Sequence, residues 1–205
     1  LGAIAVSLNA YWKGEEVRYA LSDAGARVVL VDASREEHVP RDGWPETVRV
    51  VRAEEGERLR RETGPAVKAR DVEASTPAAM VYSSGTTGEP KGCVLSHGNV
   101  ISNIQAKVDY LGIRPEDRLL LFVPLFHCYG QNAVLNAGWQ AGATLILEPA
   151  FSPERLLALM QTERPTMFFG PPTVFAVLLD RVRPDELAPV RYFFSAAAPL
   201  PPSVA

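Results

Sequence analysis

Two serines, two threonines, three glycines and one lysine fall within Tyr82-Ser83-Ser84-Gly85-Thr86-Thr87-Gly88-Glu89-Pro90-Lys91-Gly92. Glycine lets backbone N–H groups come close to an anion and admits φ > 0. Hydroxyls donate to phosphate oxygens, and lysine adds a compact positive charge. The chemistry this loop suits is the holding of a polyphosphate. It is not a Walker A loop, which needs G-x-x-x-x-G-K-[ST]. Here Gly85 and Gly88 are three apart, Pro90 precedes Lys91 and Gly92 follows it. The plainer alternative is an ordinary Gly/Ser/Thr turn between two strands.

His127 follows an apolar run and stands beside Phe126 and near Tyr129. By residue type it is either a core histidine satisfied by a backbone carbonyl or a site group. His97 follows Ser96 at a helix start, where capping or packing is the expected job. His38 lies in a polar loop and takes no role. Cys93, His97, His127 and Cys128 fit no zinc spacing. Cys128 has no base at a supporting spacing, so it is expected as buried filler.

These groups need a scaffold, and the chain alternates strand and helix signals. An apolar strand is predicted over Gly2–Leu8. Val17, Ala20, Leu21 and Ala24 recur at helical spacing over Glu15–Ala24, and Gly25 is a natural stop. Arg27–Val31 reads as a strand, so the opening strand–helix–strand implies a parallel sheet. A short strand is predicted at Thr47–Val51, and a solvated loop or surface helix at Arg52–Val72. Met80–Ser83 leads into the glycine-rich loop and Val94–Ser96 leaves it. A helix over Asn99–Leu111 puts Val100, Ile101, Ile104, Val108 and Leu111 on one side, with Gly112 ending it. Ile113–Asp117 is a polar link and a candidate boundary between subdomains. Strands are predicted at Leu119–Val123, Thr144–Leu147, Thr166–Phe169 and Arg191–Ser195. Helices are predicted at Asn132–Gln140, after Ser152-Pro153-Glu154, and at Thr173–Leu179. Ser152 is a natural N-cap, Pro153 an N1 residue and Glu154 a first-turn acid. Leu156, Leu157, Leu159 and Met160 are the packing residues of that helix. The expected fold is α/β: two incomplete, mainly parallel-sheet subdomains, over 1–115 and 116–205.

The 205 residues are 47% hydrophobic and 22% charged, an ordinary globular composition. A net charge of −3 argues against nucleic acid or an anionic membrane as partner. The cysteines Cys93 and Cys128 form no Cys-x-x-Cys, which fits a reducing cytoplasm. No apolar run reaches the length of a membrane span. The start Leu1–Leu8 does not read as a signal peptide, and Pro199–Ala205 reads as a helix start cut short. The expectation is a fragment of a longer protein.

The glycine-rich loop resembles the phosphate loop of the adenylate-forming enzymes: acyl- and aryl-CoA synthetases, peptide-synthetase adenylation domains and luciferases. Their pattern is Ser/Thr-rich, then Gly-Ser/Thr-Thr-Gly, any residue, Pro-Lys-Gly, and every position is filled. The resemblance extends along the chain. Leu8-Asn9, Gly14-Glu15-Glu16 and Asp23-Ala24-Gly25-Ala26-Arg27 are similar to the segment before that loop. Pro124-Leu125-Phe126-His127-Cys128-Tyr129-Gly130 resembles the Pro-x-Phe-His-x-x-Gly motif. Phe151 and Phe169-Gly170-Pro171-Pro172-Thr173 resemble the next segments. Ser195-Ala196-Ala197-Ala198-Pro199-Leu200 resembles the Gly-Gly-Ala-Pro-Leu turn that lies against adenine, with alanines in place of the glycines. A backbone platform is expected to tolerate alanine only if φ stays negative.

The resemblance implies a fold, a reaction and a set of roles. A carboxylate attacks the α-phosphate of Mg-ATP, and a thiol, usually of coenzyme A, then takes the acyl group. Catalysis of the first half rests on positioning and electrostatics. Lys91 and His127 are the implied catalytic residues. Ser83, Ser84, Gly85, Thr86, Thr87, Gly88 and Lys91 are implied at the phosphates, and Ala197, Ala198 and Pro199 at the adenine. Ser83 is implied as a metal contact for magnesium. His127 is implied between ATP and the acyl pocket. Motifs for the ribose, the magnesium-binding Glu, the hinge and a second lysine belong to later parts of the family pattern and are not found up to Ala205, so the chain alone is expected to be inactive.

Three functions compete. The first is a fatty-acyl-CoA ligase, because the His127 segment and its apolar surroundings resemble fatty-acid ligases. An amino-acid activator would need an Asp just downstream, and Gln131–Gly138 has none. The second is loading of a carrier-protein thiol. The third is a non-catalytic nucleotide-binding remnant. The implied partners are a small carboxylic acid, ATP and coenzyme A, with no nucleic acid and no integral membrane; a homo-oligomer is left open.

Overall fold

A computed structural model describes residues 2–39, 48–61, 68–83 and 88–205. The chain forms two compact units, Leu1–Asn99 and Val100–Ala205. The α/β class is as expected.

The first unit holds β1 (Ala5–Ser7), α1 (Glu15–Asp23), β2 (Val28–Val31), β3 (Arg49–Arg52), α2 (Ala53–Arg61), β4 (Pro77–Tyr82) and β5 (Gly92–Ser96). Glu15 and Glu16 sit in the first turn of α1, where an acid faces the positive end of the helix dipole. Val17 and Ala20 are buried. Gly25, at φ 58, stops the helix: its N–H donates to Ser22 O at 3.1 Å and that of Ala26 to Leu21 O at 3.0 Å. That pairing satisfies the last carbonyls and requires a left-handed residue. The expected strand–helix–strand pairing does not form. β1 pairs with β4 and β2 with β3, in separate sheets. The apolar pattern located the strands, but which edges meet is a long-range choice that no local pattern carries.

In that unit β1 and β4 run parallel, and β4 and β5 antiparallel with Tyr82 opposite Gly92. The phosphate-loop sequence therefore links two antiparallel strands. The charge-dense stretch supplies the surface helix α2. Of the expected strand at Thr47–Val51, Thr47 lies outside the described residues.

The division between units falls inside α3 (His97–Leu111). Ser96, rather than His97, caps this helix. Its Oγ accepts from Asn99 N–H at 3.2 Å and its N–H donates to Asn99 Oδ1 at 3.1 Å, a reciprocal cap. Ile104 and Leu111 are buried, whereas Ile101, expected on the same side, is 60% exposed.

The second unit continues through β6 (Arg118–Leu121), a π-helical segment Tyr129–Asn136, α4 (Ala137–Ala141), β7 (Thr144–Leu147), α5 (Pro153–Thr162), β8 (Met167–Gly170), α6 (Pro172–Leu179) and β9 (Tyr192–Ser195). The strands form one parallel sheet in the order β7-β6-β8-β9. The helix expected over Asn132–Gln140 is thus split, its first part wound as a π-helix. Ser152 caps α5 as expected, accepting from Arg155 N–H at 3.3 Å. Leu156 and Met160 anchor that helix.

Every residue of β8 is buried, as befits a strand covered on both faces of a parallel sheet. Phe168, Phe169, Leu119, Leu120 and Met167 are at most 1% exposed, each contributing about 1.5–3 kcal/mol on burial. The polar link 112–117 lies inside this unit, because Leu111 and Ile113 on either side of Gly112 join the same core.

Asp117, 4% exposed, ties the starts of all four strands. Its carboxylate accepts from Arg114 N–H at 2.8 Å before β6, Thr166 Oγ1 at 2.7 Å before β8 and Arg191 Nε at 2.9 Å before β9. Its carbonyl accepts from Thr144 N–H, which begins β7, at 2.9 Å. Burial pushes the carboxyl pKa up, but the bonds from Arg191 and Thr166 outweigh it and hold the value below the ordinary one. No sequence signal marked Asp117: its partners are 49 and 74 residues away.

Candidate active site

The phosphate-loop residues Ser84, Gly85, Thr86 and Thr87 lie outside the described residues; Ser83, Gly88 and Lys91 are described. Ser83 N–H donates to Lys91 O at 3.0 Å, and Lys91 N–H donates to Ser83 Oγ at 3.0 Å. This two-bond clasp continues the β4–β5 pairing and closes the base of the loop. Lys91 is exposed. Gly88 has φ 147.

Tyr82, the last residue of β4, fixes the loop's near side. Its hydroxyl lies 2.8 Å from Asp23 Oδ2 and 3.1 Å from Ala20 O, both on or beside the C-terminal turn of α1. Burial first, then Asp23, push the phenol well above its usual pKa, so it stays protonated as a donor. Trp12 packs edge-on against it, with ring centroids 5.8 Å apart. The segments before the loop thus serve as its support, which sequence reading did not assign.

In the second unit the carboxyl ends of β6, β8 and β9 share one edge, the side where open parallel sheets bind ligands. β6 leads to Pro124–Gly130, β8 ends at Gly170 and β9 ends at Ser195, paired with Gly170. His127 is exposed on this edge, which removes the core-histidine alternative. Its Nδ1 accepts from Tyr129 N–H at 3.1 Å. A neutral ring therefore carries its proton on Nε2, which is a donor. Cys128 is exposed as well, not the buried filler expected. Its Sγ approaches His127 Nδ1 at 3.9 Å.

Gly130 explains the glycine of this motif. A Cβ there would come within 2.5 Å of both Val123 O and Pro124 O. Only glycine lets the π-helical segment start so close to the strand end. Such segments recur at functional sites. Tyr129, 7% exposed, sends its hydroxyl to Phe194 O at 2.8 Å and Gly170 O at 3.4 Å. Burial raises its phenol pKa.

Ala197, Ala198 and Pro199 are exposed on the turn after β9. Ala197 has φ 76, against the expectation that alanine keeps φ negative. The turn keeps a left-handed residue at this position although it carries a Cβ, at a cost of about 1–2 kcal/mol. Among the described residues no helix is long and apolar enough to cross a membrane.

The first unit thus carries a Gly/Ser/Thr/Lys loop closed by Ser83 and Lys91, and the second an exposed histidine and a strained turn at the carboxyl edge of a parallel sheet. The chain belongs to the AMP-binding enzyme family, whose profile matches residues 1–205. It is 34% identical to a 3-hydroxybenzoate–CoA ligase of Aromatoleum sp. (strain CIB), over 98% of this chain and 41% of that protein. ATP-bound MatB from Rhodopseudomonas palustris superposes with a TM-score of 0.89 at 29% identity, covering 98% of this chain and 41% of the other. The anthranilate CoA ligase AuaEII in complex with anthranoyl-AMP gives a TM-score of 0.89 at 29% identity, covering 100% of this chain and 41% of that one. The chain spans about two fifths of the length of the relatives it matches.

Proposed function

We propose that the protein carrying this chain is an AMP-forming acid–thiol ligase that activates an aromatic carboxylic acid and passes the acyl group to coenzyme A. The observation that carries this reading is the filled phosphate-loop pattern, clasped by Ser83 and Lys91, in a chain 34% identical to a ligase named for 3-hydroxybenzoate. The neighbour holding anthranoyl-AMP points to the same acid class. The fatty-acid preference expected from the His127 segment has no support among these relatives and is replaced by the aromatic one.

In the first half reaction, an acid oxygen attacks the α-phosphorus of ATP and the bond to pyrophosphate breaks. In the second, a thiolate attacks the acyl carbon and AMP leaves. Lys91 and the Ser83–Gly88 backbone and hydroxyls would hold the β- and γ-phosphates, with Thr86 and Thr87 as donors. The exposed His127 imidazole would donate from Nε2 to the acid carboxylate and hold it beside the α-phosphate. Ala198 and Pro199 would lie against the adenine, whereas Ala197, at φ 76, does not meet the negative-φ condition set for such a platform. The Ser83 hydroxyl already accepts from the Lys91 amide, so magnesium would be held chiefly by phosphate oxygens and water. Bound there, the ion would neutralise charge gathering on the leaving pyrophosphate. A reducing, cytoplasmic setting belongs to this reading, as Cys93 and Cys128 are both free.

The test is ATP–pyrophosphate exchange by the full-length protein with 3-hydroxybenzoate and with a long-chain fatty acid. Exchange with the aromatic acid, and coenzyme A thioester on adding the thiol, is the expected result. Exchange with the fatty acid alone would restore the fatty-acyl reading. Exchange without thioester formation would favour a carrier-protein acceptor. No exchange with any acid would leave a nucleotide-binding remnant.

A further inference from the structure

Tyr129 joins both sides of the second unit's site through its backbone amide on one side and its side chain on the other. At its amide end it donates to His127 Nδ1 at 3.1 Å. At its hydroxyl end it lies 2.8 Å from Phe194 O and 3.4 Å from Gly170 O, the carbonyls at the ends of β9 and β8. Phe194 stands directly before Ser195, in the last turn of strand before the turn with Ala197. The ring also packs on Phe194, with centroids 6.1 Å apart. A phenylalanine would fill the same space. What the hydroxyl adds is a fixed distance between the His127 segment and the end of β9.

This geometry matters because the two attachments differ in strength. Ala196 N–H reaches Gly170 O only at 3.4 Å, so the pairing of β8 and β9 weakens where the turn begins. Ser195 Oγ is buried without a hydrogen-bond partner and adds no tie. The 2.8 Å bond from Tyr129 is therefore a short polar link at the end of β9. Gly130 next to it is pressed on Val123 O and Pro124 O, which keeps the Tyr129 backbone from following any shift of the turn.

We infer that Tyr129 is a positioning residue: its hydroxyl sets the spacing between the His127 imidazole and the Ala197 turn, and so the register of the acid against the nucleotide. The inference rests on the ligase reading for its kinetic consequence but not for its structural one. Misplacement of reacting groups by about 1 Å costs about a hundredfold in rate, so a hydroxyl far from the reacting atoms can act through geometry alone.

The experiment compares wild type, Tyr129→Phe and Asp117→Asn in the full-length protein. Asp117 lies at the opposite ends of the strands and serves as a destabilised control. Hydrogen–deuterium exchange is followed on peptides covering 124–128, 192–200 and β6–β7. ATP–pyrophosphate exchange is followed with 3-hydroxybenzoate. For Tyr129→Phe, exchange should rise about tenfold in the first two peptides and stay unchanged in β6–β7, with kcat down about 10- to 100-fold. For Asp117→Asn, exchange should rise across the unit with kcat retained. Unchanged 192–200 exchange in Tyr129→Phe, or a uniform rise like the control's, would overturn the positioning role. So would unchanged kcat and KM beside faster local exchange. If wild type exchanges no pyrophosphate with any acid, the ligase reading fails and the deuterium pattern alone decides the role of Tyr129.

Discussion

Ser83 and Lys91 bond to each other twice, amide to carbonyl and amide to hydroxyl, each at 3.0 Å. The serine at the start of the loop is thus a closing element. Ser83→Ala keeps the backbone bond and leaves the Lys91 amide without its side-chain acceptor. The loss is about 0.5–1.5 kcal/mol, to be read as a KM for ATP raised by up to about tenfold in pyrophosphate exchange. Unchanged ATP dependence would mean that the loop needs no clasp.

Lys91 and His127 should separate kinetically. Lys91→Ala removes a charge-assisted contact of about 1.5–3 kcal/mol, a tenfold to hundredfold loss of about that size in the ATP dependence. His127→Ala should depress turnover in acid activation by about 10²- to 10⁴-fold at unchanged fold, through lost placement of the carboxylate. Varying each substrate separately checks both. A Lys91→Ala defect confined to the acid dependence would exchange the two roles.

Gly130→Ala should destabilise the second unit. Its Cβ would meet two backbone oxygens at 2.5 Å, and backbone cannot swing aside as a side-chain tip can. Overpacking costs about 1–3 kcal/mol, visible as a lower midpoint in urea at constant slope. Wild-type stability in this variant would show that the π-helical segment relaxes freely.

Ala197→Gly should stabilise. Relief of the left-handed alanine returns about 1–2 kcal/mol, and the more flexible unfolded chain takes back about 0.4–1 kcal/mol. The urea midpoint should rise by the difference, on the order of 0.5–1 kcal/mol. A fall would mean that the methyl makes contacts worth more than the strain.

Asp117 sets an acid limb. Its folded pKa is depressed by Arg191 and Thr166 against burial. The stability it contributes is therefore present above the unfolded carboxylate pKa and is lost as pH falls through the lower folded one. Asp117→Asn should lower stability at neutral pH by about 2–3 kcal/mol, less than for a wholly buried pair because Arg191 is 36% exposed. It should also flatten the decline in acid, which urea midpoints measured from pH 7 downwards would read. An equally steep decline in the variant would assign the acid limb to other groups.

The sequence by itself determined the strands of the second unit, the Ser152 cap and the family. These depend on spacing, turn chemistry and residue types within a few positions, where local physics decides. Tertiary structure decided that β1 pairs with β4 rather than β2, and that Asp117 gathers the starts of four strands. It also decided that Tyr129 reaches Phe194, and that His127 and Cys128 are exposed while Ile101 turns outward. Those outcomes depend on which distant surfaces meet: Tyr129 and Phe194 are 65 residues apart. Ala197 shows the same division at one residue. Alanine locally resists φ 76, yet the fixed end of β9 holds the turn there, because the strand and its neighbours stabilise more than one strained residue costs.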